Sequence, residues 1–312
     1  MSQKNLALVF AGYGSQHQGM MRELREFSEL RIELARLLDA AEALSGLQLA
    51  RIAESGPDNL LADIRVAWPL LFIADYLWAR HALERGVKPQ VLAGHDVGEY
   101  AALAHGGVVS VTAALDLVVK LSKLLADAVK DSDGATLVVL GLSSDRLSEV
   151  LAQQGADGHV WISCDDTASQ VTLGGARAVL EGLIAPLYDA GARQTFFAPL
   201  AGAFNTPLLR DAAQQYRGLL KHCELRDAHI PVILNATATT VMKGTEFLRP
   251  LSEASAQTIR WRETIARIAR MSPVIVVESG PGSRLSDLND TNEQVEYYSL
   301  AQNGVITLLN KL

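Results

Sequence analysis

The chain has 312 residues, of which 49% are hydrophobic and 20% are charged, and its formal net charge is −7. This length allows one large domain, or a large domain with a smaller insertion, and enough apolar residues for a core that needs no stabilising disulfide. The negative charge disfavours a nucleic acid or an anionic membrane as the partner, because both attract a basic surface.

The cysteine content and the apolar segments bear on the cellular compartment. Cys164 and Cys223 have no metal-type spacing, so we expect two reduced thiols and no metal site. The N-terminal residues lack the apolar region of a signal peptide. The most apolar segment, Val66–Leu77, is too short to span a bilayer, which takes about 20 residues. The sequence therefore predicts a cytoplasmic protein without a membrane partner.

The first hundred residues alternate short apolar strands with helices. In chain order we predict a strand over Leu6–Phe10, helices over Met20–Glu26, Ser28–Leu44 and Arg65–Leu83, a strand over Gln90–Ala93 and a helix over Val97–His105. Both strands are too apolar to leave one face in water. This pattern favours a parallel sheet that is covered by helices on both faces.

A different pattern begins near Asp131. Strands are predicted over 135–142, 159–164, 170–173 and 193–197, and helices over 144–153 and 176–189. The order strand, helix, strand, strand, helix, strand is the ferredoxin-like βαββαβ arrangement. Apolar strands of the first kind then resume at Ile230–Leu234 and Pro273–Glu278. We therefore predict an α/β fold in which residues 1–130 and 197–312 form a large, mostly parallel subdomain and residues 131–196 form an inserted ferredoxin-like one.

A glycine-framed turn follows the second predicted strand. The segment Gly94-His95-Asp96-Val97-Gly98 joins a strand to a helix, as does the nucleophile elbow Gly-x-Ser-x-Gly, with aspartate in the serine position. Glycines are needed there because a Cβ would crowd the adjoining strand and helix. The alternative is that Asp96 is only the N-cap of the next helix, since aspartate is a favoured capping residue. The motif alone leaves both interpretations open.

Further segments carry a resemblance to one family. They are Phe10–Gln16 (FAGYGSQ), Gly94–Tyr100 (GHDVGEY), Gln170–Gly175 (QVTLGG), Ala203–Leu208 (AFNTPL), Ile259–Trp261 (IRW) and Glu278–Gly282 (ESGPG). In this order they resemble the landmarks of malonyl-CoA:acyl-carrier-protein acyltransferases and of the acyltransferase domains of polyketide synthases. The fold that this resemblance implies is an α/β-hydrolase-like body with a ferredoxin-like insertion, which agrees with the pattern above.

The resemblance places altered residues at both catalytic positions. Asp96 stands where the family has its serine nucleophile, and Asn205 stands where it has the histidine base. An asparagine side chain has no group that titrates near pH 7, so it cannot act as the base. A carboxylate attacks a thioester poorly because the product is a mixed anhydride, and its charge opposes the developing oxyanion. We therefore expect serine-histidine acyl transfer to be lost.

The substrate-binding positions that the resemblance implies are altered as well. Leu121 stands where the family has the arginine that binds the malonyl carboxylate, and leucine offers no bidentate contact. Tyr13 replaces a glutamine whose backbone N–H serves the oxyanion, a donor that survives the change of side chain. Trp68 replaces a second glutamine, and His95 is expected to line the pocket rather than to replace the lost base. The remaining predicted pocket residues are Val97 and Gln257.

Three functions remain open at this stage. The first is a degenerate acyltransferase of polyketide or fatty-acid biosynthesis that binds an acyl carrier protein or a ketosynthase. The second is an enzyme that uses Asp96 in other chemistry, such as general-base catalysis or thioester hydrolysis. The third is a transacylase or thioester hydrolase with a substitute nucleophile. No cofactor is expected beyond the coenzyme A or phosphopantetheine that carries an acyl group, and the resemblance implies a monomer.

Overall fold

The structure, a computed structural model, describes residues 4–288 and 295–311. Within them the strands are β1 Asn5–Phe10, β2 Val91–Gly94, β3 Gly134–Leu140, β4 Val160–Thr167, β5 Gln170–Ala176, β6 Gln194–Ala201, β7 Val232–Ile233, β8 Thr240–Val241, β9 Val274–Ser279 and β10 Val295–Ser299. The α-helices are α1 Arg22–Glu26, α2 Arg31–Ser45, α3 Leu49–Ser55, α4 Asp58–Leu61, α5 Ile64–Glu84, α6 Gly98–His105, α7 Val111–Val129, α8 Ser144–Gln153, α9 Arg177–Asp189, α10 Arg210–Leu220, α11 Gly244–Glu253, α12 Trp261–Ala269, α13 Arg284–Asp287, α14 Leu300–Asn303 and α15 Val305–Leu309.

The larger sheet has the strand order β10-β9-β1-β2-β7-β8. Its strands pair in parallel except for β8, which runs antiparallel to β7. Phe10 at the end of β1 lies opposite both Gly94 of β2 and Ser279 of β9. Because parallel strands end at one edge, the segments that follow β1, β2 and β9 meet there. The predicted parallel sheet is confirmed, and this edge carries the glycine-framed turn.

Helices cover both faces of the larger sheet, as the apolar strands predicted. Along β1, the side chains of Leu6, Leu8 and Phe10 enter a core that contains the buried residues of α2, α5 and α7. The alternate residues Ala7 and Val9 enter a second core with residues of α12. Successive side chains of a strand point to opposite faces of the sheet, and here the side chains on both faces are buried. This is expected for a sheet that is covered on both sides. None of the helices in the described part of the chain is long and apolar enough for a membrane crossing.

The smaller sheet has the order β4-β5-β3-β6, and its neighbouring strands are antiparallel. Together with α8 and α9 it forms the predicted βαββαβ arrangement, from Gly134 to Ala201. The two helices cover one face of this sheet over a separate apolar core. The division into domains at residues 131 and 196 stays a prediction.

Strand β4 connects the two sheets. The backbone N–H of Asp165 donates to the carbonyl of Ile259 at 2.9 Å, and the N–H of Ile259 donates to the carbonyl of Ser163 at 3.0 Å. Arg262 on α12 forms an ion pair with Asp165, with 2.9 Å between Nη2 and Oδ2. These contacts hold one edge of the smaller sheet against the larger body, and they place β4 beside the turn that follows β2.

Candidate functional site

The turn after β2 has the geometry of a nucleophile elbow. Asp96 at its apex has a φ of 53°, in the left-handed region that residues with a side chain rarely adopt. A Cβ on Gly98 would lie 2.5 Å from the carbonyl oxygens of both Phe10 and Ala11, and one on Gly94 would overlap the backbone at Gly98. The two glycines are therefore a steric requirement of the turn. The N-cap of the following helix is Val97, so Asp96 is the apex of an elbow and not a helix cap.

The carboxylate of Asp96 faces backbone N–H groups. Its Oδ2 accepts a hydrogen bond from the N–H of Tyr13 at 3.3 Å. Burial raises the pKa of Asp96, and the charge of His95 and the N–H groups of Val97 and Tyr13 offset part of that rise. Two backbone donors aimed at one point beside an elbow are the elements of an oxyanion hole. Here the side chain of Asp96 itself occupies the position in front of them.

Two aromatic side chains border this carboxylate. The Trp68 indole N–H faces Asp96 closely enough to lower the pKa of its carboxyl, but it completes no hydrogen bond. The Tyr13 hydroxyl donates to the carbonyl of Ala62 at 2.9 Å. Burial, with the charge of Asp96 adding to it, raises the pKa of Tyr13 to about 12. Both groups are therefore neutral donors at physiological pH, and they make this side of the site bulky and weakly polar.

Asn205 lies in the same cavity but offers no base. Its backbone also has a φ of 53°. Its side-chain amide donates to the carbonyl of Ala254 at 3.3 Å. An amide neither accepts nor returns a proton near pH 7. The nucleophile position, Asp96, therefore holds a carboxylate that faces backbone N–H groups. The base position, Asn205, holds an amide that is hydrogen-bonded to a backbone carbonyl.

A buried polar cluster lies next to the elbow. His95 Nε2 is 2.9 Å from Asp166 Oδ1, and the Cys164 thiol donates to the same oxygen at 2.8 Å. Gln170 donates to the other carboxylate oxygen at 3.0 Å. Burial by itself raises the pKa of Asp166, but the hydrogen bonds from His95, Cys164 and Gln170 hold it at about 2. Burial and the charge of Asp166 raise the pKa of the Cys164 thiol.

These groups line one cavity of about 100 Å³ between the two sheets. Side chains of the larger body that line it include Tyr13, Trp68, His95, Asp96, Asn205 and Arg284. The smaller sheet contributes Thr136, Val138, Cys164, Asp166 and Thr172. An adjoining groove of about 650 Å³ shares Asn205 with this cavity and extends along the surface to Arg210. Asn205 therefore lies between the cavity and an open groove.

Three residues that the sequence interpretation missed support the site. Asn235 donates from its side chain to the carbonyl of Asp96 at 2.9 Å, and its N–H donates to Glu99 Oε1 at 2.7 Å. Burial raises the pKa of Glu99 to about 7. Arg284 brings a positive charge that acts on Cys164, and its Nε has no hydrogen-bond partner in the described structure. Glu99 lies inside the elbow motif, whereas no motif points to Asn235 or Arg284.

The predicted site residues do not all meet. The cavity brings together Tyr13, Trp68, His95, Asp96 and Asn205. Val97 contributes its backbone N–H and is itself buried. Leu121 lies in the apolar core of the larger body rather than at the cavity, since burying a leucine side chain is favourable. Gln257 lines the adjoining groove, where it donates to Glu253 at 3.0 Å.

This combination of fold and elbow defines an acyltransferase scaffold, and known proteins share it. Residues 7–303 match the acyl transferase domain family. The malonyl-CoA:acyl-carrier-protein transacylase of Haemophilus influenzae is 30% identical over 288 residues, which cover 91% of each chain. The crystal structure of FabD from Acinetobacter baumannii has a TM-score of 0.90 at 28% identity and covers 99% of this chain and 98% of that one.

A second structural neighbour includes a partner. It is a malonyl-transacylase in complex with its type II polyketide-synthase acyl-carrier protein. The superposition has a TM-score of 0.91 at 25% identity and covers 99% of this chain and 100% of the neighbour. The chain belongs to the acyl transferase domain family. It is related to the malonyl-CoA:acyl-carrier-protein transacylases of fatty-acid and polyketide biosynthesis. The family and the fold expected from the sequence are thereby confirmed.

Proposed function

We propose that this chain acts in fatty-acid or polyketide biosynthesis as a carrier-protein-binding partner that forms no covalent acyl-enzyme. The observation that carries the proposal is the Asp96 carboxylate, which accepts the N–H of Tyr13 at 3.3 Å. Acyl transfer needs such donors for the negative charge that develops on the substrate. A carboxylate already in front of them would repel that charge, and Asn205 leaves the site without the family's base.

A basic groove near the site supports a carrier protein as the partner. Three cations line a surface groove along α10: Arg210 and Arg217 on the helix and Lys221 at its C-cap. Glu253 is the one acidic residue among the described residues that line this groove. Arg210 also lines the groove that reaches Asn205. These cations lie on a chain whose net charge is −7, so they form a local positive surface. A phosphopantetheine arm carries a phosphate, which such a surface attracts.

The same proposal covers the remaining expectations about partners. The chain meets a holo acyl carrier protein as a monomer, and a ketosynthase is the second partner class. Phosphopantetheine or coenzyme A enters as the carrier of an acyl group and not as a resident cofactor. A structural neighbour, a malonyl-transacylase in complex with its acyl-carrier protein, supports the first of these partners.

Binding and adduct formation test this proposal together. A panel of holo acyl carrier proteins from fatty-acid and polyketide systems is titrated calorimetrically into the full chain. We expect one of them to bind, with an affinity that Asp96→Ala leaves unchanged and that the double charge reversal Arg210→Glu with Arg217→Glu lowers roughly tenfold or more. The matched control is Lys88→Glu, which reverses an exposed charge just before β2, at the sheet edge opposite the elbow.

Covalent chemistry would overturn this proposal. Incubation with acetyl-CoA and malonyl-CoA should leave the intact mass of the chain unchanged. An acyl adduct on Asp96, or thioester loss that depends on Asp96, would show that the elbow is catalytic. Failure of every carrier protein to bind would remove the proposed partner.

A second candidate function rests on the raised pKa of Asp96. A buried carboxyl whose pKa is raised is better matched to general-base work near neutral pH than an ordinary aspartate. In that case Asp96 would activate a water in the cavity and hydrolyse a thioester. Acyl-CoA hydrolysis should then rise with pH as Asp96 ionises, and both Asp96→Asn and Asp96→Ala should abolish it. Equal hydrolysis by wild type and Asp96→Asn would exclude this function.

A further inference from the structure

Three different metal-ligand groups converge in the wall of the cavity. His95 Nε2, Cys164 Sγ and Asp166 Oδ1 are separated by 2.9, 2.8 and 3.4 Å. The three residues are 6%, 7% and 4% exposed. His95 comes from the turn after β2, whereas Cys164 and Asp166 lie on β4. The packing of the two sheets thus assembles an imidazole, a thiol and a carboxylate that are far apart in the sequence.

The arrangement of these groups differs from a nucleophilic relay. In a cysteine-histidine-aspartate relay, the thiol and the carboxylate contact opposite nitrogens of the imidazole ring. Here Cys164 and Asp166 both contact Nε2 of His95. The other ring nitrogen, Nδ1, is buried without a hydrogen-bond partner in the described structure. The three groups therefore point towards one another, as ligands of a shared ion do.

We propose that His95, Cys164 and Asp166 bind a zinc ion and leave its fourth position facing the cavity. The three atoms lie within reach of one ion, and the hydrogen-bonded separations of 2.8 and 2.9 Å would lengthen to about 3.3–3.6 Å to give the tetrahedral Zn–N, Zn–O and Zn–S bonds of proteins. Three protein ligands with one open position are typical of zinc sites that bind water or substrate. The thiolate disfavours magnesium and calcium, which prefer oxygen ligands.

Metal binding is balanced by proton release. The S–H bond of Cys164 breaks as the Zn–S bond forms, and its proton leaves to solvent. His95 binds through a neutral Nε2 and keeps its proton on Nδ1. The carboxylate and the thiolate supply two negative charges for the dication. Asp96 and Arg284, an acidic and a basic residue, also line the cavity.

Neighbouring side chains already orient the three groups. Gln170 donates to Asp166 Oδ2 at 3.0 Å, which leaves Oδ1 turned towards the cluster. Trp261 packs edge-on against the His95 ring, with 5.3 Å between the ring centroids. Contacts of this kind fix the direction of ligand atoms and raise metal affinity. Gln170 therefore supports the site without binding the metal itself.

The test is cobalt and zinc titration of the full chain after treatment with a chelator. We expect one metal ion per chain, visible bands of tetrahedral cobalt and a near-ultraviolet thiolate-to-cobalt band. Cys164→Ser should remove the thiolate band and weaken binding by at least about 100-fold, because a metal-ligand bond is lost. Gln170→Ala should weaken binding about 10–100-fold. Cys223→Ser, at the half-buried second cysteine, is the matched control and should bind as wild type does.

A thermal readout keeps the test independent of folding defects. Zinc should raise the melting temperature of the wild type and of Cys223→Ser, since it binds only the folded chain. A folded Cys164→Ser should show a much smaller rise at the same zinc concentration, since its site is at least about 100-fold weaker. Absence of stoichiometric metal in the wild type, or a thiolate band that persists in Cys164→Ser, would overturn the proposal. An acyl adduct on Cys164 after incubation with an acyl-CoA would also overturn it, in favour of a nucleophilic thiol. The metal results do not involve carrier-protein binding and bear on this inference alone, whereas an acyl adduct on Cys164 would contradict both this inference and the proposed function.

Discussion

The elbow and strand β4 border the same cavity, but different interactions hold them in place. The elbow depends on the backbone, because Gly94 and Gly98 allow contacts that no Cβ permits. Strand β4 is held by backbone hydrogen bonds to Ile259 and also by side chains, since Arg262 pairs with Asp165 and the carboxylate of Asp166 accepts several hydrogen bonds. A turn built by the backbone keeps its shape when the residue at its apex changes. Elbow geometry alone is therefore weak evidence of catalysis.

The largest expected effect is the recovery of covalent chemistry at the elbow. Asp96→Ser combined with Asn205→His should raise the rate of acyl-enzyme formation at least about 10³-fold over wild type, because nucleophile and base act as a unit. The serine also removes the carboxylate from the Tyr13 N–H. Intact mass after timed incubation with acetyl-CoA measures the rate. Each single variant should stay near the wild-type rate, and an inactive but folded double variant would show that the backbone frame has also changed.

The next effect tests whether the backbone frame is as rigid as the contacts indicate. Gly98→Ala should lower the free energy of unfolding by about 3 kcal/mol or more, since its Cβ would lie 2.5 Å from two carbonyl oxygens. Gly218→Ala is the control, because Gly218 is an exposed residue of α10 with open space around it. That substitution should raise stability by about 0.5–1 kcal/mol. Urea unfolding of both variants measures the difference, and equal values would contradict the steric argument.

A smaller effect concerns the buried carboxyl behind the elbow. Burial raises the pKa of Glu99 from 4.5 to about 7. The folded state therefore holds this proton more tightly than the unfolded chain, so the contribution of Glu99 to stability falls as pH rises from about 4.5 to 7. Between pH 4.5 and 8 wild type should lose about 2–3 kcal/mol relative to Glu99→Gln, at about 1.4 kcal/mol per pKa unit. Parallel stability curves for the two proteins would show that Glu99 does not titrate in this range.

The smallest effect tests the side-chain anchoring of β4. Arg262→Gln should lower the free energy of unfolding by about 1 kcal/mol, because it removes a partly exposed ion pair with Asp165. Arg146→Gln, which breaks an exposed pair with Glu149 within the smaller sheet's own helix, should change stability by less than about 0.5 kcal/mol. Thermal unfolding of matched samples compares the two. A larger loss from the exposed pair would contradict the anchoring role.

The fold was accessible from sequence because its signals are local. Continuous apolar strands indicate a two-sided parallel sheet, and the order of elements between residues 131 and 196 indicates the second sheet. Glycine spacing around Asp96 is compatible with an elbow and with a helix cap, and the resemblance to one family favours the elbow. The placement of Leu121 was not accessible, since an apolar residue on a helix suits a core and a pocket wall equally.

The polar cluster escaped prediction for a different reason. His95 lies 69 positions before Cys164 and 71 before Asp166. These separations do not form one of the short sequence motifs by which metal ligands are recognised. Asn235, which binds the Asp96 carbonyl, lies 139 positions after it. Contacts of this kind depend on how the sheets pack, and a single sequence carries no pattern for that packing.

The most direct test of the central claim is mass spectrometry of the chain mixed with malonyl-CoA and a holo acyl carrier protein that binds it, under native and then denaturing conditions. With the Asp96 carboxylate in front of the backbone donors, we expect a noncovalent complex in the native spectrum and an unmodified chain mass after denaturation. A malonyl mass retained by the denatured chain and lost in Asp96→Ala would contradict the claim.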